Sequence, residues 1–384
     1  MVEILFRSSV NSENSDWAER SEYWRNYRPV IRGAPKKYHY REPLILCGHG
    51  VKLRVDRGTL LVEDGFTHFP QKIESRRYFP GDPDLPSRIV VLDSDGGISF
   101  SALKWLSDQE IAFVQLNWRG EALVVATPSG RLSDRKLLLA QLSVRNTRKA
   151  FDISRWLIQE KIAASIETIE EVVPVSLVRS ATLKSLNIDL EQISRGSVKA
   201  HLSSLFGIEG RAAAAYFRSW HNLPIKWKGL GRKPIPESWK KVGARTMGWR
   251  SRLQNARHPV NAMLNYAYAM LASELRIQSA AVGVDTGLGF MHGAARSNTP
   301  LINDLVEPLR PLADRQVLGL ALSHTFTPGD FAINSWGGCR LNPQLARVVA
   351  NRIGLVDASD VVADVLKMIK GESRRSVNGH KLPN

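Results

Sequence analysis

Two different periods of apolar residues divide the chain. Between 43 and about 125 the apolar positions come in short runs and alternations. Leu44-Ile45-Leu46 leads into Gly48-His49-Gly50, and Val51, Leu53 and Val55 then alternate with charged residues. That alternation is the period-two signature of a half-buried strand. Leu60-Leu61-Val62 follows a turn at Arg57-Gly58, and Ile89-Val90-Val91-Leu92 is stopped by Asp93-Ser94-Asp95-Gly96-Gly97. One helix is predicted over 101–107 and a further strand over 111–116. Beyond Arg131 the period becomes 3.6. Leu137, Leu138, Ala140, Gln141 and Val144 open a helical region that Ile153, Trp156, Leu157, Ile162 and Ile166 continue to a break at Pro174. Further helices are predicted over 183–193, 199–206, 209–220, 261–277, 300–309, 343–353 and 361–369. Pro259 and Pro300 stand where a first helical residue tolerates proline. The predicted class is α+β. A small β-rich domain (44–130) precedes a larger all-helical domain (131–370), between a polar arm (1–43) and a short tail (371–384).

Composition adds a partner to this outline. The 384 residues carry 53 Lys+Arg against 37 Asp+Glu, a formal net charge of +16. Such a balance points to a polyanion, with mere solubility as the alternative. An apolar fraction of 43% excludes general disorder. No apolar run approaches the roughly 18 residues of a membrane span. The first residues lack the pattern of a secretory signal, and Cys47 and Cys339 alone exclude a disulfide scaffold or cysteine-based zinc module. A cytoplasmic protein without a membrane segment is expected.

The charge is concentrated. Residues 225–257 hold Lys226, Lys228, Arg232, Lys233, Lys240, Lys241, Arg245, Arg250, Arg252 and Arg257 against Glu237 alone, a net +9. Trp227, Trp239 and Trp249 stand among them on a Gly- and Pro-rich backbone. Bases interleaved with aromatics suit phosphate neutralisation and stacking, so this loop is predicted to contact nucleic acid. The competing reading is a solvated loop whose tryptophans enter a core. The arm has a similar flavour, with Tyr23, Trp24, Arg25, Tyr27, Arg28, Arg32, Lys36, Lys37 and Arg41, and reads as a partly ordered tail.

Chemistry on nucleic acid calls for carboxylates, and perhaps one histidine, around a divalent cation. Three settings qualify. Glu209 lies between Gly207 and Gly210 at the start of an Ala-rich stretch. His292 lies in the Gly-rich apolar segment 287–293. Asp304 and Glu307 are three residues apart, hence on one face of a helix. Each has an ordinary structural explanation, and no short metal motif has these spacings. A nucleophile elbow, a phosphate-binding GxxxxGK[ST] loop and HExxH are all absent.

The blocks GIEGRAAAAYF, NARHPVNAMLNYAYAML and GVDTGLGFMHGAARSNTPLINDLVEPLRP, together with the N-terminal strand pattern, resemble the CRISPR-associated integrase family, protein one of the spacer-adaptation machinery. The likeness runs in order over about 44–355. It implies a metal-dependent DNA endonuclease and integrase that inserts short duplexes into a CRISPR array by 3′-hydroxyl transesterification. Carried over by position, the metal ligands are Glu209, His292 and Glu307, binding Mg²⁺ or Mn²⁺, with Asp304 and Arg296 accessory. The implied partners are double-stranded DNA (spacer precursor and repeat target), a second copy in a homodimer, and the small dimeric protein two. Residues 1–43 and the long Trp-rich loop depart from the family pattern. Two other readings are a mobile-element integrase of the same fold and a non-catalytic DNA-binding scaffold.

Overall fold

The computed structural model describes residues 17–26, 43–66, 74–86, 88–92, 94–117, 122–128, 135–195, 201–231, 234–243, 256–292, 299–335, 337–354, 356 and 358–371. It is an α+β protein with a β-rich N-terminal part and a helical C-terminal part. Helix α1 (17–26) comes first. Strands β1 (Leu44–Cys47), β2 (Val51–Asp56), β3 (Thr59–Glu63), β4 (Ser75–Tyr78), β5 (Arg88–Leu92) and β6 (Gly96–Ile98) follow. Helix α2 (Phe100–Asp108) leads to β7 (Ala112–Leu116) and β8 (Ala122–Ala126). One sheet runs β1-β5-β7-β8 and the other β4-β3-β2-β6. In the first, β1, β5 and β7 are parallel and β8 is antiparallel.

The first sheet joins the two parts of the molecule. Leu44, Leu46, Ile89, Val91 and Phe113 face the N-terminal core with α2 and the second sheet. Their neighbours Ile45, Cys47, Val90, Leu92, Val114 and Leu116 face the helical core. Burial of both faces explains why β1 and β5 read as unbroken apolar runs rather than alternations. Two ion pairs cross the same junction, Arg88 of β5 with Glu274 and Asp64 with Arg347.

The helical part contains α3 (Arg135–Val144), α4 (Arg148–Val172), α5 (Leu177–Ser194) and α6 (Leu202–Trp220). Then come β9 (Lys226–Trp227), α7 (Pro259–Val282), α8 (Pro300–Val306) and α9 (Arg310–Ser323). It ends with β10 (Thr325–Phe326), β11 (Phe331–Ile333), β12 (Cys339–Leu341), α10 (Pro343–Ile353) and α11 (Ser359–Lys370). Two small sheets, β9 with β10 and β11 with β12, therefore interrupt a region expected to be all helix.

Three expectations change. The helices predicted over 199–206 and 209–220 are the single α6, because Gly207 and Gly210 cost propensity without breaking a helix whose neighbours are buried. Glu209 thus lies in mid-helix rather than at a helix start. Helix α9 continues beyond the helix predicted over 300–309, across Pro308 and Pro311. In the structure they turn only Glu307–Leu309 into a 3₁₀ turn joining α8 to α9. The arm is folded over 17–26. Trp24 is 2% exposed, donates to Asp330 at 2.8 Å, and packs on His324 and Phe326. Of the other arm positions, Tyr27, Arg28, Arg32, Lys36, Lys37 and Arg41 lie outside the described residues.

Candidate metal centre and nucleic-acid surface

Helix α4 buries a stripe at Ser154, Ile158, Lys161, Ser165 and Thr168, spaced three and four residues apart. This stripe faces the 3₁₀ turn and α9, where the Thr168 hydroxyl donates to the Pro311 carbonyl at 2.9 Å. Lys161 is the one charge on it. Its ammonium donates to Glu209 of α6 and, at 2.6 Å, to Oε2 of Glu307 in the 3₁₀ turn. Two carboxylates separated by almost a hundred residues therefore meet on one cation. Burial by itself would lower the Lys161 pKa, but the charges of Glu307 and Glu209 outweigh it and hold the group above its usual value. Burial likewise opposes ionisation of Glu307, yet Arg310 and Lys161 hold its carboxyl below the usual glutamate value. The Arg310 Nε lies 3.4 Å from Oε1 of Glu307, and its guanidinium covers the Tyr268 ring.

His292 arrives on a tight turn. Successive amides of Phe290, Met291 and His292 donate to the Asp304 carboxylate at 2.6, 3.0 and 3.0 Å. Such consecutive N–H groups form an anion-binding concavity, here filled from within the chain. Gly289 is required at its centre, since a Cβ there would lie 2.9 Å from the His292 carbonyl oxygen and from Pro300. Asp304 is fully buried and also takes Nδ1 of His292 at 2.6 Å. A buried carboxylate accepts, so Nδ1 carries the proton and Nε2 keeps its lone pair whenever the ring is neutral. The bond to Asp304 is the largest cause raising the His292 pKa, against a lowering by burial. Glu307 acts on the same ring electrostatically.

The structure thus brings Glu209 and Glu307 together on Lys161 and places His292 within electrostatic range of Glu307. Asp304 lies behind the ring as its hydrogen-bond acceptor. Among the described residues no three His, Cys, Asp or Glu side chains converge on a single point; the two glutamates meet on Lys161. The donor set still suits a hard divalent ion. It offers two carboxylates already drawn to a common cation and an imidazole whose other nitrogen is tied back. Lys161 and Arg310 were missed in the sequence. The available signal was a lysine on the buried stripe of α4, at register with apolar and small residues.

The basic loop divides in two. Trp239 is 3% exposed, stacks against Trp227 with ring centroids 6.0 Å apart, and donates to the Arg257 carbonyl at 2.9 Å. Trp227 donates to the Trp239 carbonyl and packs on Phe326 and Phe331. Trp239 belongs to the core and the half-buried Trp227 packs against it, so the two rings are held inside the fold rather than presented as free stacking platforms, which corrects the expectation for the loop. The reason is the β9–β10 pairing, which turns Trp227 inward. Lys226, Lys228, Lys240 and Lys241 remain exposed on the other side, with Lys240 paired to Glu237 at 2.7 Å. Arg232, Lys233, Arg245, Trp249, Arg250, Arg252 and Arg296 lie outside the described residues.

Among the described residues no helix is long and apolar enough to cross a membrane. Comparison with solved structures finds a casposase bound to integration product, with a TM-score of 0.67 at 22% identity over 87% of this chain and 92% of that one. A Cas1 protein from Thermotoga maritima matches with a TM-score of 0.63 at 17% identity, over 89% of this chain and 100% of that one. These likenesses are of fold. In sequence, the CRISPR-associated endonuclease Cas1 1 of Methanospirillum hungatei is 26% identical over 78% of this chain and 82% of its own length. The CRISPR-associated exonuclease Cas4/endonuclease Cas1 fusion of Geobacter sulfurreducens is 36% identical over 41% of this chain, which spans only 26% of that protein. The family profile described as CRISPR associated protein Cas1 matches residues 44–353, from β1 to the end of α10 and across every residue of the site above, so the chain belongs to the Cas1 family.

Proposed function

We propose that this protein is a metal-dependent DNA endonuclease and integrase that inserts short DNA fragments into a CRISPR array. The observation that carries the reading is the convergence of Glu209 and Glu307 on one cation, within electrostatic range of a histidine oriented by Asp304. Glu209, Glu307 and Nε2 of His292 would hold Mg²⁺ or Mn²⁺, the nitrogen favouring Mn²⁺. The bound ion supplies Lewis-acid polarisation of phosphoryl oxygens.

The chain's own residues do the rest. Asp304 keeps the proton on Nδ1 and fixes the plane of the ring. Arg310 neutralises Glu307 and stands near enough to the site to offset phosphate charge. The exposed lysines of 226–241 neutralise the duplex backbone. In the transesterification a 3′-hydroxyl oxygen of the fragment bonds to a phosphorus of the target strand. The bond from that phosphorus to its own 3′ oxygen breaks, and the hydroxyl proton passes to the departing oxygen. One phosphodiester replaces another, so no nucleotide cofactor is consumed.

We further infer a homodimer working with the small dimeric protein two; part of a chain of a Cas6-RT-Cas1–Cas2 complex, 37% of it against 90% of this chain, has a similar fold with a TM-score of 0.62 at 18% identity. Work in a reducing cytoplasm agrees with two buried free thiols, Cys47 and Cys339. The test is strand transfer on a branched DNA in Mn²⁺, with and without the partner. His292→Ala and Glu209→Ala should abolish it, and variants as active as wild type would refute the site. The casposase likeness prompts a second reading, a mobile-element integrase. Flanking inverted repeats instead of an array and a protein-two gene beside the coding sequence would favour it.

A further inference from the structure

Lys161 does more than balance charge. It is joined to both glutamates that the metal reading requires, and its side chain is only 16% exposed. The glutamates come from different elements, α6 and the 3₁₀ turn, and are themselves 28% and 11% exposed. Two such carboxylates repel unless a cation lies between them. The ammonium bonds one oxygen of each carboxylate, at the point where the two approach each other, and a divalent ion held by both would stand at that point, where two cations repel each other. Lys161 hangs on a flexible four-carbon stem, so withdrawal costs no backbone movement. A cavity of about 30 Å³ lined by Lys161, Ser165, Glu209, Tyr268 and Arg310 adjoins it, room for a water-sized group.

We propose that Lys161 is the resident counter-cation of the site: it holds Glu209 and Glu307 converged in the metal-free protein and is displaced when the divalent ion binds. The inference rests on the metal reading above and assigns a positioning role to a residue of α4. It makes metal binding an exchange of one cation for another, so the metal-free protein keeps its carboxylates paired.

Mn²⁺ titration by calorimetry, with melting curves on the same samples, tests this in full-length wild type, Lys161→Gln and Lys161→Arg. Lys161→Gln should melt lower without metal yet bind Mn²⁺ about tenfold tighter, because the competing charge is gone. Lys161→Arg, which keeps the charge, should stay within about threefold of wild type. A purely structural lysine would lower stability and weaken metal binding together. Unchanged or weaker binding by Lys161→Gln therefore overturns the inference. A measurement on wild type needs no variant to fold: acylation of the Lys161 amine, read by peptide mass spectrometry, should rise when Mn²⁺ saturates the site. Unaltered labelling overturns the inference as well. A wild-type protein that takes up no Mn²⁺ removes the metal reading and this inference together, whereas Mn²⁺ uptake without gain in Lys161→Gln removes this inference alone.

Discussion

Replacing Asp304 by asparagine isolates the part of the site that orients its histidine. The carboxylate accepts four hydrogen bonds, two at each oxygen: His292 N and Nδ1 on Oδ1, Phe290 N and Met291 N on Oδ2. An amide keeps one acceptor. Turned one way its NH₂ faces the Phe290 and Met291 amides; turned the other way it faces the His292 amide and Nδ1, which can accept from it by changing tautomer; either way the negative charge is lost. Hydrogen bonds to a charged group are worth about 1.5–3 kcal/mol each, so losing one or two costs about 1.5–6 kcal/mol. Relaxation of the turn around Gly289 should bring the measured loss to the lower end. The second effect is on the ring. Without a carboxylate to hold the proton on Nδ1, the histidine samples the other tautomer and other orientations. Loss of such an outer hydrogen-bond partner typically costs about 10–100-fold in metal affinity. Urea unfolding gives the first quantity and Mn²⁺ calorimetry at a temperature where the variant is folded gives the second. A folded Asp304→Asn protein with wild-type Mn²⁺ affinity would refute the orientation argument, and a stability loss under about 1 kcal/mol would refute the hydrogen-bond accounting.

Other regions of the molecule offer further tests. Trp239→Ala should destabilise by about 3–5 kcal/mol through a core cavity, whereas Gln at Lys226, Lys228 and Lys241 should leave stability alone and flatten the salt dependence of DNA binding by about 0.9 for each phosphate no longer neutralised; an unchanged salt slope after the lysine changes would turn that face to solvent. Gly210→Ala meets nothing within 4 Å of the added Cβ. It should raise stability by about 1 kcal/mol in urea unfolding, and a concurrent fall in DNA affinity would put the strand over α6. Burial, then Lys228, Arg20 and Arg352, lowers the His324 pKa from 6.5 to about 4. A histidine held neutral by the fold stabilises fully above its unfolded pKa, and that contribution is lost as pH falls from about 6.5 towards 4. With partial exposure discounted the loss is about 1–2 kcal/mol, and thermal melts of His324→Phe against wild type across this window should show the slope disappear.

How far the chain could be read without coordinates depends on the range of the force that fixes each feature. The strands of the N-terminal domain, the helical period beyond Arg131 and the break at Pro174 are local, because apolar spacing and proline act within a few residues. The order of Glu209, His292, Asp304 and Glu307 was legible only through family resemblance, since no short spacing joins positions so far apart. The i, i+3 relation of Asp304 and Glu307 suggested one shared face. The structure instead sends Asp304 back into the His292 turn and Glu307 across to Lys161.

Tertiary packing alone decided three further matters. It turned Trp227 and Trp239 inward by pairing β9 with β10, a strand almost a hundred residues later, so aromatic residues that read as stacking platforms became core. It fixed α1 by burying Trp24 against β10, which a polar flanking composition concealed. It also placed Lys161 between two glutamates, because helix packing sets which residues of α4 face α6 and the 3₁₀ turn. The amino-acid sequence by itself determined the N-terminal strands, most of the helices, the family and the acids proposed here to hold a metal. The charge that joins those acids was decided only when three distant segments packed around it, since an ion pair across segments depends on distances that no local pattern records.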